Sequence, residues 1–486
     1  MVTSVTNQGS LSSAGIGSGL DVNSIVTQLM AVESRPLNLL KTQAESINTK
    51  LSSFGKLQSY FAALRDKSAD LSSAVIWSGT IGASADASSV KVATGSNAVA
   101  GNYSVQVTKL AASQTVTSSA QASSSATLNE GSLTIELGTW TGTPTSGFAA
   151  KAGASPVTIS IGAGETSLAS IRDKINGANA GVTASIVTDA NGARLSLRSK
   201  DTGAENGFRI TAAESSDDGD ANTGLSALNY SATAASPMTR SQQAVNAEAQ
   251  INGIDISSAS NVLNNVVDGL TITLQKPTTT PVEVTVQPDT DSIKKKVTDF
   301  VSAFNDLANY LHTQTAYNAD NKTAGALQGD QSAVALQNQL RAVLNQGSTA
   351  SSTFTRLSDV GLALKADGTM SLDSSKLDNA LGNLGELKKM FAASGSDNAS
   401  TGYMQRWRQL GDAALGSEGA FASRTQGLKD FLTRNSKSQD AMSLRLSLTE
   451  TRMRARYNAL DTQMASLNAT STYLSQQITA MNKSTA

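Results

Sequence analysis

From Met453 to Met481 the sequence reads MRARYNALDTQMASLNATSTYLSQQITAM. Its apolar positions Met453, Tyr457, Leu460, Met464, Leu467, Leu474, Ile478 and Met481 recur every three or four residues, with Ser471 filling the one gap in register. That is the a/d spacing of a coiled coil. Arg452, Arg454, Asp461, Thr462, Gln463, Ser466 and Gln476 occupy the rest of the cylinder, so the stripe is narrow and one face wants a partner helix. At the rise of an α-helix the run is about 43 Å long, more than a small core asks of one helix. The spacing predicts a terminal helix over about 444–481 that acts as a strut.

A second strut is written at the other end of the chain. From Ile25 the apolar set runs through Leu29, Val32, Leu37, Leu40, Ile47, Leu51, Phe54, Leu57, Phe61, Leu64 and Leu71, near-heptad with a slip around Leu57. A third piece, Ile293, Val297, Phe300, Phe304, Leu307 and Leu311, steps by four and three. One such stripe is usually an ordinary amphipathic helix on a globular core. Three of them flanking one strand-rich middle argue for a helical leg.

Between these helices the period changes. Val90–Val92, Tyr103–Val107, Leu133–Leu137 and Val157–Ile161 alternate with period two between Gly, Ser and Asn turns, as strands do. Thr166 or Ser167 caps a short helix carrying Leu168, Ile171 and Ile175, which Gly177 stops. Strands resume at Val182–Val187 and Arg194–Arg198 across Asp189-Ala190-Asn191-Gly192, which is hairpin chemistry. The acidic, polar segment 211–245 reads as loop, and further strands are expected over 248–256 and 270–286. Near the N-terminus, Asp21 or Ser24 is the expected helix cap, and Pro36 demands a break near Ser34.

The 486 residues suffice for about three domains. With 38 Lys plus Arg against 39 Asp plus Glu, the net charge of −1 offers no global attraction to nucleic acid or anionic lipid. The absence of cysteine removes disulfides, thiolate metal sites and thiol catalysis. Only 4% of residues are aromatic and 16% charged, a composition suited to a secreted fibre. Residues 1–14 hold neither a basic n-region nor an apolar h-region, so no cleavable signal peptide is expected. No run of about 18 apolar residues predicts membrane insertion.

Candidate chemistry is thin. The glycine cluster Gly15–Gly19 precedes a helix but follows a polar tail rather than a strand, which disfavours phosphate binding. Asp218-Gly219-Asp220-Ala221-Asn222 resembles the start of a calcium loop, but its glycine is misplaced and Asn229 stands where the bidentate glutamate belongs. The single histidine, His312, has no G-x-S-x-G elbow to serve. Carboxylate pairs for glycoside hydrolysis are assembled by a fold, and nothing here nominates one. No catalytic residue, metal or cofactor is called for.

Taken together, several blocks carry a family resemblance. Gly15-Ile16-Gly17-Ser18-Gly19-Leu20-Asp21-Val22-Asn23-Ser24-Ile25-Val26, followed by Leu29-Met30 and Glu33, resembles the N-terminal signature of the bacterial flagellar filament cap family, hook-associated protein 2 or FliD. Asn252-Gly253 with Asn261 and Asp268–Leu274 resembles its central strand motif. Gly329-Asp330 with Leu340-Arg341, and Leu357–Leu362 through Asp367–Asp373, resemble its C-terminal half. Arg456–Asp461 with Tyr473-Leu474 resembles its closing helix, and Lys174-Ile175-Asn176 to Val182-Thr183-Ala184 resembles a short Ile-Asn repeat of flagellar axial proteins.

The resemblance implies an α+β multidomain fold in which long N- and C-terminal helices pair as a coiled-coil-like leg and two strand-rich head domains are inserted. The expected division is a mobile terminus over 1–40, a leg over 41–80 plus 290–486, a first head domain over 81–117 plus 241–289, and a second over 118–240 nested within it. The seam that binds the partner helix, and through it other subunits, is expected at Ile47, Leu51, Phe54, Phe61, Met453, Tyr457, Leu460, Met464, Leu467, Leu474 and Ile478. The implied role is capping at the extracellular tip of the flagellum, where flagellin is helped to fold and polymerise and is kept from leaking. The implied partners are the chain itself as a closed, pentamer-like homo-oligomer, flagellin, the hook–filament junction proteins, a cytoplasmic export chaperone and the flagellar export apparatus. A second reading is a secreted adhesin whose head binds host glycans such as mucin.

Overall fold

The computed structural model describes residues 21–141, 147–231 and 236–484. The Gly15–Gly19 cluster and the whole N-terminal polar tail before it lie outside the described residues. The chain divides into two units, one of residues 1–74 and 291–486 and one of 75–290.

In the first unit helices from the N-terminal and C-terminal regions of the chain meet. A helix over Val22–Glu33 begins at Asp21, whose side chain accepts from the Ser24 amide at 2.9 Å. It stops at Ser34, and a helix over Arg35–Ser72 starts immediately with Pro36 in its first turn, where the missing N–H costs nothing. The described part of the expected N-terminal segment is thus helical on either side of Ser34. The terminal helix spans Ala420–Ser484 and does not begin near Leu444. Its early start was hidden because polar residues hold inward heptad positions there: Phe421, Leu428 and Leu432 are followed by Asn435 and Gln439 before Met442.

These two long helices run antiparallel, as three contacts show. Phe61 meets the edge of Phe421 with ring centroids 5.5 Å apart, the Arg424 guanidinium lies 5.9 Å from the Phe54 ring, and Gln43 accepts from Asn435 at 3.4 Å. Behind them the helix Thr290–Thr315 buries Ile293, Val297, Phe300, Phe304, Leu307 and Leu311, the third predicted stripe. It packs its aromatic rings on Trp407 of the helix Tyr403–Leu415, with Phe300 at 4.9 Å. Lys296 reaches Asp70 at 2.6 Å, and Tyr310 donates to the Ser53 carbonyl.

Two polar anchors tie short elements to this base. Asp330 caps the helix Gln331–Asn345 by accepting from the amides of Ser332 and Ala333, and its other oxygen accepts from Arg424 Nε at 3.0 Å. The carboxylate is almost wholly buried, so one side chain holds two helices together. Arg406, also buried, stacks 4.8 Å over Tyr403 and donates to the carbonyls of Thr401, Gly347 and Ala399.

In the second unit a five-stranded antiparallel sheet has the order Thr80–Ser84, Val282–Pro288, Gly101–Lys109, Ala247–Ile251, Ile254–Ser258. With a three-stranded sheet of Val262–Asn264, Leu270–Leu274 and Val90–Thr94 it encloses Val105, Val107, Ile251, Leu270, Ile272 and Val284. Asn252 and Gly253, both at positive φ, turn the hairpin between Ile251 and Ile254. A separate core forms between two further sheets and the helix Leu168–Gly177, and it draws its buried residues from Val116 to Met238. Ser167 is that helix's cap, as expected, and Asp189 pairs with Gly192 in the expected hairpin. The 211–245 segment is not all loop. Gly207–Glu214 pairs along Gly131–Thr141, and Thr239–Gln242 pairs with Thr115–Thr117; residues 232–235 lie outside the described residues.

Asp330→Ala should cost about 3 kcal/mol, because it leaves Arg424 and two helix amides without their carboxylate. Thermal unfolding of the full chain checks this; a loss under 1 kcal/mol would contradict the anchor. Lys389 and the Ser351 hydroxyl, with the amide and hydroxyl of Ser352, hold the Glu386 carboxyl well below the usual carboxylate range, at about 2. A depressed folded value means that this carboxylate stabilises the 351–352 loop above the unfolded value and that the effect is lost as pH falls through about 2. The Ser352 amide resonance should therefore titrate near pH 2, not near pH 4.5, and should shift already at pH 7 in Glu386→Gln.

Candidate functional site

Along the terminal helix the environment changes in three steps. At the base, Phe421 and Leu428 are buried against the Arg35–Ser72 helix, whose Phe54, Leu57 and Phe61 are equally buried. Two turns further lies a polar layer: Asn435, itself buried, donates to Gln43 and accepts from Gln439 at 2.6 Å. Such a layer weakens a helix pair relative to apolar packing while restricting how the helices align.

Beyond it the Val22–Glu33 helix takes over as partner. Leu29 shares a cavity of about 650 Å³ with Met453, Arg456, Tyr457, Ala459, Leu460 and Gln463. Arg454, paired with Glu450, donates to the Asn23 side chain at 2.9 Å. The last third of the helix is exposed: Leu467, Leu474 and Ile478 show 64, 53 and 59% of their surface.

The predicted seam residues therefore do not form one contact. Ile47, Phe54 and Phe61 are buried and Leu51 half-buried, facing the early part of the terminal helix rather than its end. Met453 and Tyr457 are half-buried near Leu29, and Leu460 and Met464 are 41 and 36% exposed. What periodicity missed is the polar set Gln43, Asn435 and Gln439. The signal was available, since Asn435 stands seven residues before Met442.

Other candidates dissolve on inspection. Carboxylate oxygens of Glu214, Asp217 and Asp218 lie within 4.8 Å of one another. They are already engaged: Glu214 accepts from Asn129 and Ser226, Asp217 from the Gly219 amide, and Asp218 from Asp220 and Thr223. His312 is exposed on the last turn of its helix.

Comparison with known proteins gives this geometry its context. The family model for the flagellar hook-associated protein 2 N-terminus matches residues 18–114, and the one for its C-terminus matches residues 244–469. The flagellar hook-associated protein 2 of Escherichia coli K12 is 32% identical over 485 residues, covering 96% of this chain and 98% of that protein. The chain belongs to the flagellar hook-associated protein 2 family.

Salmonella typhimurium has a family member 30% identical to this chain, covering 98% of it and all of the relative. The crystal structure of the D1-D2-D3 domains of the flagellar cap protein FliD from Escherichia coli matches with a TM-score of 0.59 at 30% identity, covering 78% of this chain and 99% of that one. The family's role is structural, at the cap of the flagellar filament, and none of these relatives is described as an adhesin.

A flagellin hook IN motif matches residues 132–201, and the structure gives the motif a physical meaning. Ile175 lies on the buried face of the helix Leu168–Gly177, and the next residue, Asn176, bonds both backbone groups of Ala184, donating at 2.9 Å and accepting at 2.7 Å. The amide thus replaces a strand partner and pins the helix end to the sheet.

Leu460→Asp should leave the isolated protein folded, with a stability change within about 0.5 kcal/mol, because the site is already partly in water. It should nevertheless abolish capping, read as loss of swimming. Phe61→Ala should instead cost about 3 kcal/mol in thermal unfolding. Normal swimming by the Leu460→Asp strain would refute the functional seam.

Proposed function

We propose that the chain caps the growing end of the flagellar filament through graded helix contacts rather than through a reacting group. The observation that carries this reading is the fall in burial along the terminal helix, from Phe421 at 1% exposed to Leu467 at 64%. A cap has to release and remake contacts each time a flagellin subunit is inserted. An apolar base holds the leg together, the Asn435 layer limits alignment, and the open stripe from Leu460 to Ile478 is the surface that exchanges partners.

On this reading the stripe's partners are flagellin and other copies of the chain in a closed, pentamer-like homo-oligomer at the tip. Before export, a cytoplasmic chaperone covers it during delivery to the flagellar export apparatus. The hook–filament junction proteins offer the surface on which the cap first assembles. No helix among the described residues is long and apolar enough to cross a membrane, in keeping with a role outside the bilayer.

A deletion strain tests the role. Monomeric flagellin should accumulate in the medium while filaments are lost, and the full-length chain should restore both. Intact filaments with loss only of adhesion to mucin would replace capping by the adhesin reading.

A further inference from the structure

Beside their own seam, the leg helices carry a second set of apolar residues that stay exposed. Val32 and Leu39 lie seven residues apart across Ser34, whose backbone stays right-handed helical at φ −78° and ψ −10°. They therefore fall on one side of a nearly continuous helix, 53 and 71% exposed. On the terminal helix, Leu444 and Leu448 are one turn apart and 64 and 59% exposed. With Ala441, Arg445, Thr451 and Arg452 they line a shallow groove of about 530 Å³.

Leu444 stands two residues, or about 200°, around the helix from Met442. Met442 shares a groove with Leu39 and Leu40, so Leu444 points away from the helix that its own chain already supplies.

The two patches sit at one height on the leg. Leu39 is level with Met442 through that shared groove, and Leu444 lies only about 3 Å further along the axis. Because the helices are antiparallel, Val32 falls near the level of residue 450, just past Leu448. Their exposed charges are complementary. Arg445 and Arg452 flank one side of the leucine pair, with Asp440 one turn before Leu444; beside the other patch stand Arg35 and, further round, Glu33.

We propose that Leu444 and Leu448 of one copy pack on Val32 and Leu39 of a second copy, with Asp440 facing Arg35 and Arg445 facing Glu33 across the contact. Two different patches make the contact heterologous, and their equal height leaves little axial rise, so repetition closes into a ring instead of climbing as a filament. The proposal rests on the homo-oligomer reading above and gives that reading a surface.

The cysteine-free chain makes the test direct. Full-length Leu39→Cys and Leu444→Cys proteins are mixed in equal amounts and oxidised, each also being oxidised alone. The mixture should form disulfide-linked dimers at least tenfold more than either protein alone. Asp440→Arg in the second protein should lower the yield about tenfold, and Arg35→Asp in the first should restore it.

Light scattering on the same samples separates the two claims. Oligomers without the mixed disulfide would overturn this contact and leave the homo-oligomer reading standing; a monomer at every concentration would overturn both. Equal yields from the mixture and from Leu444→Cys alone would mean a two-fold contact and refute the ring geometry. Loss of the mixed disulfide when flagellin is added before oxidation would assign the groove to flagellin instead.

Discussion

The edge-to-face contact of Phe61 with Phe421 joins residues 360 positions apart, and the rest of the first unit depends on it. Neither long helix can bury its stripe alone, since isolated helices are marginal in water and their order comes from packing. The entropic cost of closing so long a loop grows only slowly with length, so the intervening chain can hold separate cores without forbidding the meeting of the ends. Folding is nonetheless constrained in order. Contacts of such high sequence separation form late unless the chain between them has already compacted. The two strand-rich cores suit that role, because each closes its own sheets by antiparallel pairing within about 200 residues.

A composition with few aromatics and no cysteine needs another way to hold irregular segments. Side-chain amides provide it. Asn261 makes both bonds to the backbone of Ala111, Asn305 does the same at Met370, and Gln114 at Phe208. Asn176 at Ala184 is the fourth instance. Each amide donates and accepts at once, satisfying two backbone groups that a missing strand partner would leave open. Buried backbone groups left unpaired would cost about 1–3 kcal/mol each, so an asparagine placed this way does more than a hydrophobic residue of its size could.

The parts of the fold that follow local rules were legible in the sequence. Ser167 as a cap, the Ala190-Asn191 turn, the break at Ser34 and the stripe from Ile293 to Leu311 are each set by residues within a turn or two of one another. Residues 420–443 were not legible as part of the terminal helix, because inward positions held by Asn435 and Gln439 break the apolar period. The strand Gly207–Glu214 was lost for a related reason: its partner, Gly131–Thr141, lies some 70 residues away, and its own end merges into acidic loop. The apolar positions of the long helices were legible residue by residue, but their pairing was not. Periodicity reports which face is apolar, and only the antiparallel register tells that Phe54 meets Arg424 while Met453 lies near Leu29.

The far end of the terminal helix shows how a helix persists where packing has run out. Thr462, Thr470, Thr472 and Thr479 each donate to the carbonyl four residues back, at 2.7–2.9 Å. These bonds satisfy the hydroxyls without a partner, but they slightly loosen the helix and compete with its own ladder. Charged pairs such as Glu450 with Arg454 add only a few tenths of a kcal/mol. Beyond Leu460 the helix is therefore held by weak local terms, while its apolar stripe keeps the spacing that a partner would read. The balance tips toward order when that stripe is covered and away from it when it is bare. The partner-exchanging surface proposed for this stripe requires that property, and the threonines and the polar side chain at Ser471 keep the balance close.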